Sequence, residues 1–538
     1  MMMQWSNHLI ILPVLVPMIC GALLILFSRR NFSLRFGLAA ISTLAQFVVA
    51  LCLLQLVEGD QWADGIGVYL AGNWVAPFGI ALVADRLAVL MLLLTSVMGL
   101  GALWYSHVRW ARVGVHYFSL FQFLLMGLNG AFLTGDLFNL FVFFEVMLAA
   151  SYGLVLHGYN STRIRAGMQF IVVNLLCSFL FLIGIALVYA ATGTLSMADI
   201  AARTASLDAA DRQLLHVAAA ILAVTFLTKS AIWPLSFWLP PTYSAASPPV
   251  AAMLILVTKV GIYTVLRLWS LTFSGEAEGS AGFGATVLLW GGTATIAFGL
   301  VGMFASQEPG RLASYSAIIS SGTLLAVISY GQTAMTSAAL FYLLSSTLGV
   351  AAFMLLIELI ERIRNPAAAM LALTMEAFAV EDEPEESVGV PIPGALAFLG
   401  LAFAGCSLLM AGLPPLSGFL AKFTIFHALL TGHAQTVLDY AEWTLMVLII
   451  VSGLAAVIAL MRFGVRTFWA APIAKAPTLK VMEAAPIFAL LLICVLFTVQ
   501  AGPLKRYLDR TAASLHEPQH YIQQVLTQPA IAVRGEAP

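Results

Sequence analysis

Charged side chains are scarce in this sequence: Asp, Glu, Lys and Arg make up 9% of its 538 residues, and 61% of the residues are hydrophobic. Soluble globular proteins carry about 25% charged residues. A chain of this length with so few polar side chains cannot cover its own surface in water. The shortage therefore excludes a soluble globular protein and predicts a chain embedded in a lipid bilayer.

Cysteine is also rare, and several chemical motifs are missing. The five cysteines form no CxxC pair and have no histidine nearby, so we expect neither a disulfide nor a resident metal. No glycine-rich phosphate loop follows a strand, no HExxH occurs, and no basic aromatic patch is present. We therefore expect no cofactor and no nucleic-acid partner.

Long apolar runs are what the sequence has in abundance. Each run of ~20 residues can cross a ~30 Å hydrocarbon core as a helix. The pattern predicts an all-α polytopic membrane protein with about fourteen transmembrane helices. The predicted spans are residues 8–27, 34–57, 85–105, 114–134, 136–157, 166–191, 213–239, 247–271, 283–305, 311–330, 335–360, 393–428, 443–468 and 482–501.

The charges between the spans are sorted by sign. Segments after odd-numbered spans carry fourteen of the 25 Lys and Arg residues: Arg29, Arg30, Arg35, Arg109, Arg112, Arg163, Arg165, Arg311, Arg362, Arg364, Arg462, Arg466, Lys475 and Lys480. Segments after even-numbered spans carry mostly acids: Glu58, Asp60, Asp64, Asp199, Asp208, Asp211, Glu276, Glu278, Asp439 and Glu442. Because basic loops stay in the cytoplasm, both termini are predicted outside, on the periplasmic side.

Two spans contain proline and small residues at mid-membrane depth. Pro234 interrupts span seven, and Pro414, Pro415 and Gly418 interrupt span twelve. Since proline removes a backbone donor and clashes with the preceding turn, both spans are predicted to be discontinuous helices. They lie five spans apart, so spans four to eight and nine to thirteen are candidate inverted repeats. The alternative is two incidental kinks.

This pattern divides the chain into four predicted parts. They are three N-terminal helices (1–113), a first five-helix repeat (114–272), a second repeat (283–469) and a last helix with a polar tail (481–538). An acidic stretch at 361–393 is predicted to be a cytoplasmic linker. A short surface helix is predicted around 519–526.

Four ionisable residues lie near the middle of apolar spans: Glu145, Lys229, Lys259 and Lys422. A charge at the bilayer centre costs at least ~2.5–3.5 kcal/mol, so four such residues predict a function. A buried lysine can lose its proton at accessible pH, whereas arginine cannot. The set therefore predicts a proton relay.

Other polar residues are weaker candidates. Asp136 and His157 flank span five and could gate a proton path, although residues at helix ends are often merely interfacial. A second group could line water between the lysines, or could simply join helices by hydrogen bonds. It consists of His216, Tyr315, Ser316, Ser320 and His427.

Five segments resemble the D subunit of the Mrp-type multisubunit sodium (or potassium)/proton antiporter: residues 135–154, 227–240, 247–263, 311–325 and 411–423. The wider superfamily includes antiporter-like subunits of respiratory complex I and of membrane-bound hydrogenases. The resemblance implies that Glu145 pairs with Lys229 and that Lys259 relays protons to Lys422.

The same resemblance implies a secondary transporter subunit rather than an enzyme, placed in the bacterial cytoplasmic (inner) membrane and contributing to pH homeostasis. It implies companion subunits as partners and exchange of Na⁺ or K⁺ for protons, the cation site being unknown. Two alternatives stay open at this point. One is a proton-pumping membrane subunit of a complex I-like oxidoreductase or hydrogenase, and the other is a silent scaffold.

Overall fold

A computed structural model describes residues 6–28, 30–59, 61–158, 160–362, 394–431, 439–468 and 479–530. The first half contains the helices α1 (Leu12–Leu26), α2 (Phe32–Glu58), α3 (Arg86–Val108), α4 (Tyr117–Leu133), α5 (Leu137–Val155), α6 (Ser161–Thr192), α7 (Met197–Thr204), α8 (Ala209–Lys229), α9 (Leu239–Ala245) and α10 (Pro248–Thr272). The second half contains α11 (Ala285–Ala305), α12 (Pro309–Ile328), α13 (Thr333–Glu361), α14 (Gly394–Ala411), α15 (Ser417–Thr431), α16 (Tyr440–Phe468), α17 (Val481–Val499), α18 (Ala501–His516) and α19 (Pro518–Leu526).

Helix length and composition confirm the predicted membrane protein. Among the described residues, 13 helices are long and apolar enough to cross a membrane. The shorter apolar helix α4, with 17 residues, occupies the predicted fourth span. These helices fall on the fourteen spans predicted from the sequence, so the chain is a multi-pass, nearly all-helical membrane protein.

Both predicted helix breaks are present. Span seven consists of α8 and α9, and the chain turns through residues 230–238 around Pro234. Span twelve consists of α14 and α15, with Pro414 and Pro415 between them and Gly418 in the first turn of α15. The inverted relation of the two halves and the limits of the four parts stay predictions.

Three helices form the centre of the bundle. In the most apolar stretches of α10, α12 and α13, 100%, 89% and 94% of the residues are buried. By contrast, α6 exposes large apolar side chains such as Leu176 and Phe179, each 60% exposed. The central helices hold the polar residues described below, and the outer helices present apolar surface to lipid or to other subunits.

The loops form two ends of different charge. We call the end that holds residues 109–116, 306–308 and 362 the arginine-rich end, and the opposite end the acidic end. The acidic end carries a hairpin of β1 (Gly67–Leu70) and β2 (Ala81–Ala84), antiparallel with Val68 opposite Val83.

The chain after α17 lies on the acidic end. The predicted surface helix is confirmed as α19, and α18 before it was not predicted from the sequence. Tyr507 of α18 donates to the carbonyl oxygen of Arg86 at 2.8 Å. Near the other terminus, Trp62 donates to Asn7 at 3.0 Å, so the described parts of both termini share this end. Most of the predicted acidic linker, residues 363–393, lies outside the described residues.

Candidate functional site

Glu145 and Lys229 are joined through α6. The side chains of Asn174 and Ser178 lie four residues apart, hence on one face of that helix. Ser178 Oγ donates to the carboxylate of Glu145, and Lys229 Nζ donates to the carboxamide oxygen of Asn174 at 3.0 Å. No salt bridge joins Glu145 to Lys229 directly in the part of the chain that the structure describes, and α6 supplies a two-residue bridge between the two side chains. Their pairing stays a prediction.

Lys229 lies where span seven breaks. It is the last residue of α8, its side chain is only 3% exposed, and a cation at the carboxyl end of a helix is favoured by the free carbonyl groups there. Two contacts satisfy the broken backbone: the Trp233 N–H donates to Thr295 Oγ1 at 2.9 Å, and the Trp238 indole donates to the Thr228 carbonyl at 3.1 Å. The break is thus fixed by neighbouring groups.

Lys259 lies in the middle of α10 and is fully buried. Its Nζ donates to Ser320 Oγ at 2.8 Å and to Ser321 Oγ at 3.3 Å, both on α12. Ser320 Oγ is also 2.8 Å from Ser346 Oγ of α13. A chain of hydroxyl groups therefore leads from the central lysine to the next helix.

Close packing joins the helices that carry Lys229 and Lys259. Ser230 follows Lys229 directly, and Gly261 lies two residues after Lys259. A Cβ atom on Gly261 would lie 2.3 Å from Ser230 Oγ, which is too close for any other residue. Glycine at this position lets α8 and α10 approach beside the two lysines.

Lys422 lies beside the break of span twelve. It sits on α15 and donates to the carbonyl oxygen of Ala411, the last residue of α14, at 2.9 Å. Gly412 has a φ of +74°, and a Cβ there would lie 2.6 Å from Lys422 Cδ. A Cβ on Gly453 would lie 3.2 Å from Lys422 Nζ. Glycines thus make the room that the lysine side chain occupies.

A polar cavity lies between the hydroxyl chain and Lys422. Its lining includes Ser316, Ser320, Ser346, Lys422 and Ser452, and its volume is about 20 Å³. A water molecule needs roughly 10–15 Å³ and two to four polar partners, so the cavity can hold one. The cavity thus extends from Ser320, which contacts Lys259, to the side chain of Lys422.

The weaker candidates divide into two groups. Ser316 and Ser320 line the cavity, as expected of residues that line water. The others lie elsewhere: Asp136 caps α5 by accepting from the Asn139 N–H at 2.8 Å, and His157 lies 2.9 Å from the Trp110 carbonyl at the arginine-rich end. His216 lies 3.0 Å from Ser280 Oγ at the acidic end.

Tyr315 and His427 also lie away from the relay residues. The Tyr315 ring packs against Gly302, and exposed His427 stacks on Phe423 at 6.3 Å. Each of these two residues, like Asp136, His157 and His216, has a local contact of its own, and their part in a proton path stays a prediction.

Asn174, Ser178 and Ser346 were not predicted from the sequence. Asn174 and Ser178 are isolated polar residues spaced by one helical turn inside a long apolar run. This spacing could have identified them as candidate site residues. Ser346 carried no comparable signal, since it is one of many hydroxyl residues in the apolar spans.

The whole chain can be compared with known proteins. The family model described as "NADH:quinone oxidoreductase/Mrp antiporter, TM" matches residues 134–440, more than half of the chain. The chain belongs to this family. The matched region contains Glu145, Lys229, Lys259 and Lys422, and it confirms the resemblance found in the sequence.

Family members of known name resemble the chain over nearly its full length. The D subunit of a probable K⁺/H⁺ antiporter of Rhizobium meliloti (strain 1021) is 52% identical and covers 98% of this chain and 99% of its own. The D subunit of a Na⁺/H⁺ antiporter of Alkalihalophilus pseudofirmus is 32% identical over 97% of this chain and 100% of its own. A solved chain of the Mrp complex from Dietzia sp. DQ12-45-1b has a TM-score of 0.81 at 24% identity, covering 97% and 99%, so the two share a fold.

Proposed function

We propose that this family member is the D subunit of a multisubunit antiporter that exchanges Na⁺ or K⁺ for protons and provides a proton path across the membrane. One observation carries the proposal: three buried amines lie on polar groups in the middle of the bundle. Lys229 contacts the α6 bridge that leads to Glu145, Lys259 contacts the hydroxyl chain, and Lys422 lines the same cavity as Ser320 of that chain. The path starts at Glu145, crosses α6 to Lys229, and continues through Lys259 to Lys422. The chain is a transporter subunit and not an enzyme.

Two companion proposals follow from the family and the charge distribution. The names of the relatives describe subunits, so this chain works with other subunits in a hetero-oligomer. The arginine-rich end faces the cytoplasm, in the bacterial cytoplasmic (inner) membrane, and both termini face outward. Exchange of cations for protons in this orientation serves pH homeostasis.

Neutral substitutions in the intact complex test the proton path. Glu145→Gln and Lys229→Ala should each reduce cation-dependent proton flux in inverted vesicles at least tenfold, while assembly of the complex stays unchanged. Glu308→Gln and Lys505→Ala are matched controls, because both residues are at least one-third exposed and pair with neighbours outside the path. Wild-type flux in Glu145→Gln and Lys229→Ala would contradict the proposal.

The second candidate is a proton-pumping membrane subunit of a complex I-like redox complex, since the family description names both classes. The antiporter is favoured because the relative with 52% identity over nearly the full length is named as an antiporter subunit. Purification of the native complex decides between them. Flavin or iron–sulfur subunits in the preparation would support the redox complex, and membrane subunits alone would support the antiporter.

A further inference from the structure

A second polar cavity lies at the arginine-rich end, on the same side of the bundle as Lys422. Its volume is about 50 Å³, and its lining includes Ser306, Gln307, Ala459, Arg462 and Arg466. None of these residues belongs to the relay described above. The lining is mostly polar although α11, α12 and α16 are apolar helices, so the cavity suits water better than lipid.

The two cavities lie along the same three helices. Each helix contributes one residue to the Lys422 cavity and one to the second cavity. The second residue lies about one helical turn (~5.4 Å) nearer the arginine-rich end. The pairs are Met303 and Ser306 along α11, Ser316 and Leu312 along α12, and Ala456 and Ala459 along α16. We call this line of contact the Lys422 seam.

Arg462 closes the outer part of the seam. Its Nη2 donates to the carbonyl oxygens of Phe304 at 3.0 Å and Ser306 at 2.7 Å, at the carboxyl end of α11. The last carbonyl groups of a helix have no partner within it, and basic side chains commonly bind such groups. The side chain therefore bridges α16 and α11 across the cavity mouth.

The charge of Arg462 adds an electrostatic barrier to the steric one. Arginine keeps its proton in proteins, so it cannot pass a proton onward itself. A fixed cation at a narrow mouth opposes the approach of Na⁺, K⁺ and hydrated protons alike. The seam is thus closed while the guanidinium stays on the two carbonyl groups, and it opens when they separate.

We propose that Lys422 exchanges protons with the arginine-rich end through the Lys422 seam, and that Arg462 is its gate. The inference rests on the proposed relay function of Lys422 and adds a route and a gating residue to it. Arg462 acts as a positioning residue because it does not touch the relay amines. Removing the Arg462 side chain should therefore change access to the seam and leave the contacts of the relay amines unchanged.

Thiol accessibility tests the seam without measuring transport. The intact complex, with the five native cysteines replaced, carries a single cysteine from Ala459→Cys or, deeper, Ser316→Cys. A cysteine from Glu308→Cys, at an exposed position, identifies which face of the vesicles is the arginine-rich end. A membrane-impermeant maleimide applied to that face should label Ala459→Cys slowly, because the reagent enters only when Arg462 leaves the two carbonyl groups. It should label Ser316→Cys more slowly still, because the inner cavity of about 20 Å³ must also widen to admit the reagent.

The gate is tested in the same vesicles. Adding Arg462→Ala should increase the labelling rate of Ala459→Cys about tenfold, whereas Arg311→Ala should leave it unchanged. Arg311 is the matched control because it is exposed at the same end and pairs with Glu308. Labelling only from the acidic end, no labelling from either end, or an unchanged rate with Arg462→Ala would overturn the proposal.

Failure of the seam and failure of the relay give different results. If Lys422→Ala keeps full antiport but the labelling follows the expected pattern, the seam exists and the relay function is wrong. If Lys422→Ala abolishes antiport but the labelling contradicts the pattern, Lys422 is a relay residue that exchanges protons by another route.

Discussion

At the scale of single residues, Asn174 links Lys229 to α6, and Ser178 of the same helix binds the carboxylate of Glu145. A hydrogen bond between a buried charged group and a neutral partner contributes about 1.5–3 kcal/mol. Asn174→Ala should therefore reduce cation-dependent proton flux about tenfold in vesicles. Gln169→Ala is the control, because Gln169 is on the same helix, is amide-bearing and is half-buried. Equal flux in both variants would show that the α6 bridge is not used.

Gly453 tests how tightly the Lys422 side chain is held. A methyl group there would lie 2.7 Å from the Ala411 carbonyl oxygen and 3.2 Å from Lys422 Nζ, so it would displace the contact between them. We expect Gly453→Ala to reduce antiport severalfold, measured as cation-dependent proton flux in vesicles. Gly405→Ala would place its methyl 3.6 Å from Leu491, an ordinary contact, and should retain activity.

At the scale of elements, the break in span seven depends on a bond from another helix. The Trp233 N–H has lost its helical partner and donates to Thr295 of α11. Thr295→Val leaves this part-buried donor without its partner, and a fully buried donor left unpaired costs about 1–3 kcal/mol. The purified complex should lose thermal stability relative to Thr293→Val, since the Thr293 hydroxyl bonds within its own helix. A wild-type melting temperature in Thr295→Val would contradict this reading.

The helices were predictable, because a run of ~20 apolar residues leaves a chain in lipid few options besides a helix. The two breaks were predictable for a similar reason: the sequence shows where Pro234 and Pro415 interrupt the hydrogen bonding. The bridge from Glu145 to Lys229 was not predictable. It depends on how α5, α6 and α8 rotate against each other, and an apolar helix carries little information about its rotation.

At the scale of the whole molecule, one ion pair ties the centre of the bundle to the acidic end. Arg267 of α10 binds Asp85 through two bonds, of 2.6 and 2.7 Å, and both side chains are 7% exposed. Breaking a buried pair by removing one partner costs about 3–5 kcal/mol. Arg267→Met should therefore lower the melting temperature markedly.

Two further variants test whether the loss of stability comes from the unpaired buried charge. Asp85→Asn combined with Arg267→Met should recover most of the lost stability, because no unpaired charge stays buried. Arg86→Met breaks a more exposed pair with Glu58, so its effect should be smaller. If Arg86→Met lowered the melting temperature more than Arg267→Met, the buried pair of Arg267 and Asp85 would not be the main link to the acidic end.

The tail on the acidic end should respond to pH. Burial lowers the pKa of His516, which lies 3.0 Å from Thr336 Oγ1. The docked tail therefore favours neutral histidine, so the stabilising contribution of His516 is present above its ordinary pKa of about 6.5 and is lost as the pH falls below it. The hydrogen-exchange protection factors of α18, which are corrected for the intrinsic effect of pH on exchange, should be lower at pH 5.5 than at pH 7.5.

A variant isolates the effect of His516. In His516→Gln, the protection factors of α18 should be similar at both pH values. A pH response that persists in His516→Gln would assign the effect to another group.

The serine hydroxyls around Lys259 have a consequence for reversibility. A hydroxyl can both donate and accept a hydrogen bond, whereas the backbone carbonyl that holds Lys422 can only accept. When Lys259 gives up a proton, Ser320 can turn and donate to the free amine, so the contact persists with its polarity reversed and no helix has to move. The middle of the path therefore works equally well in both directions. The direction of net proton flow is then set by the proton and cation gradients across the membrane, because the hydroxyl contacts favour neither direction.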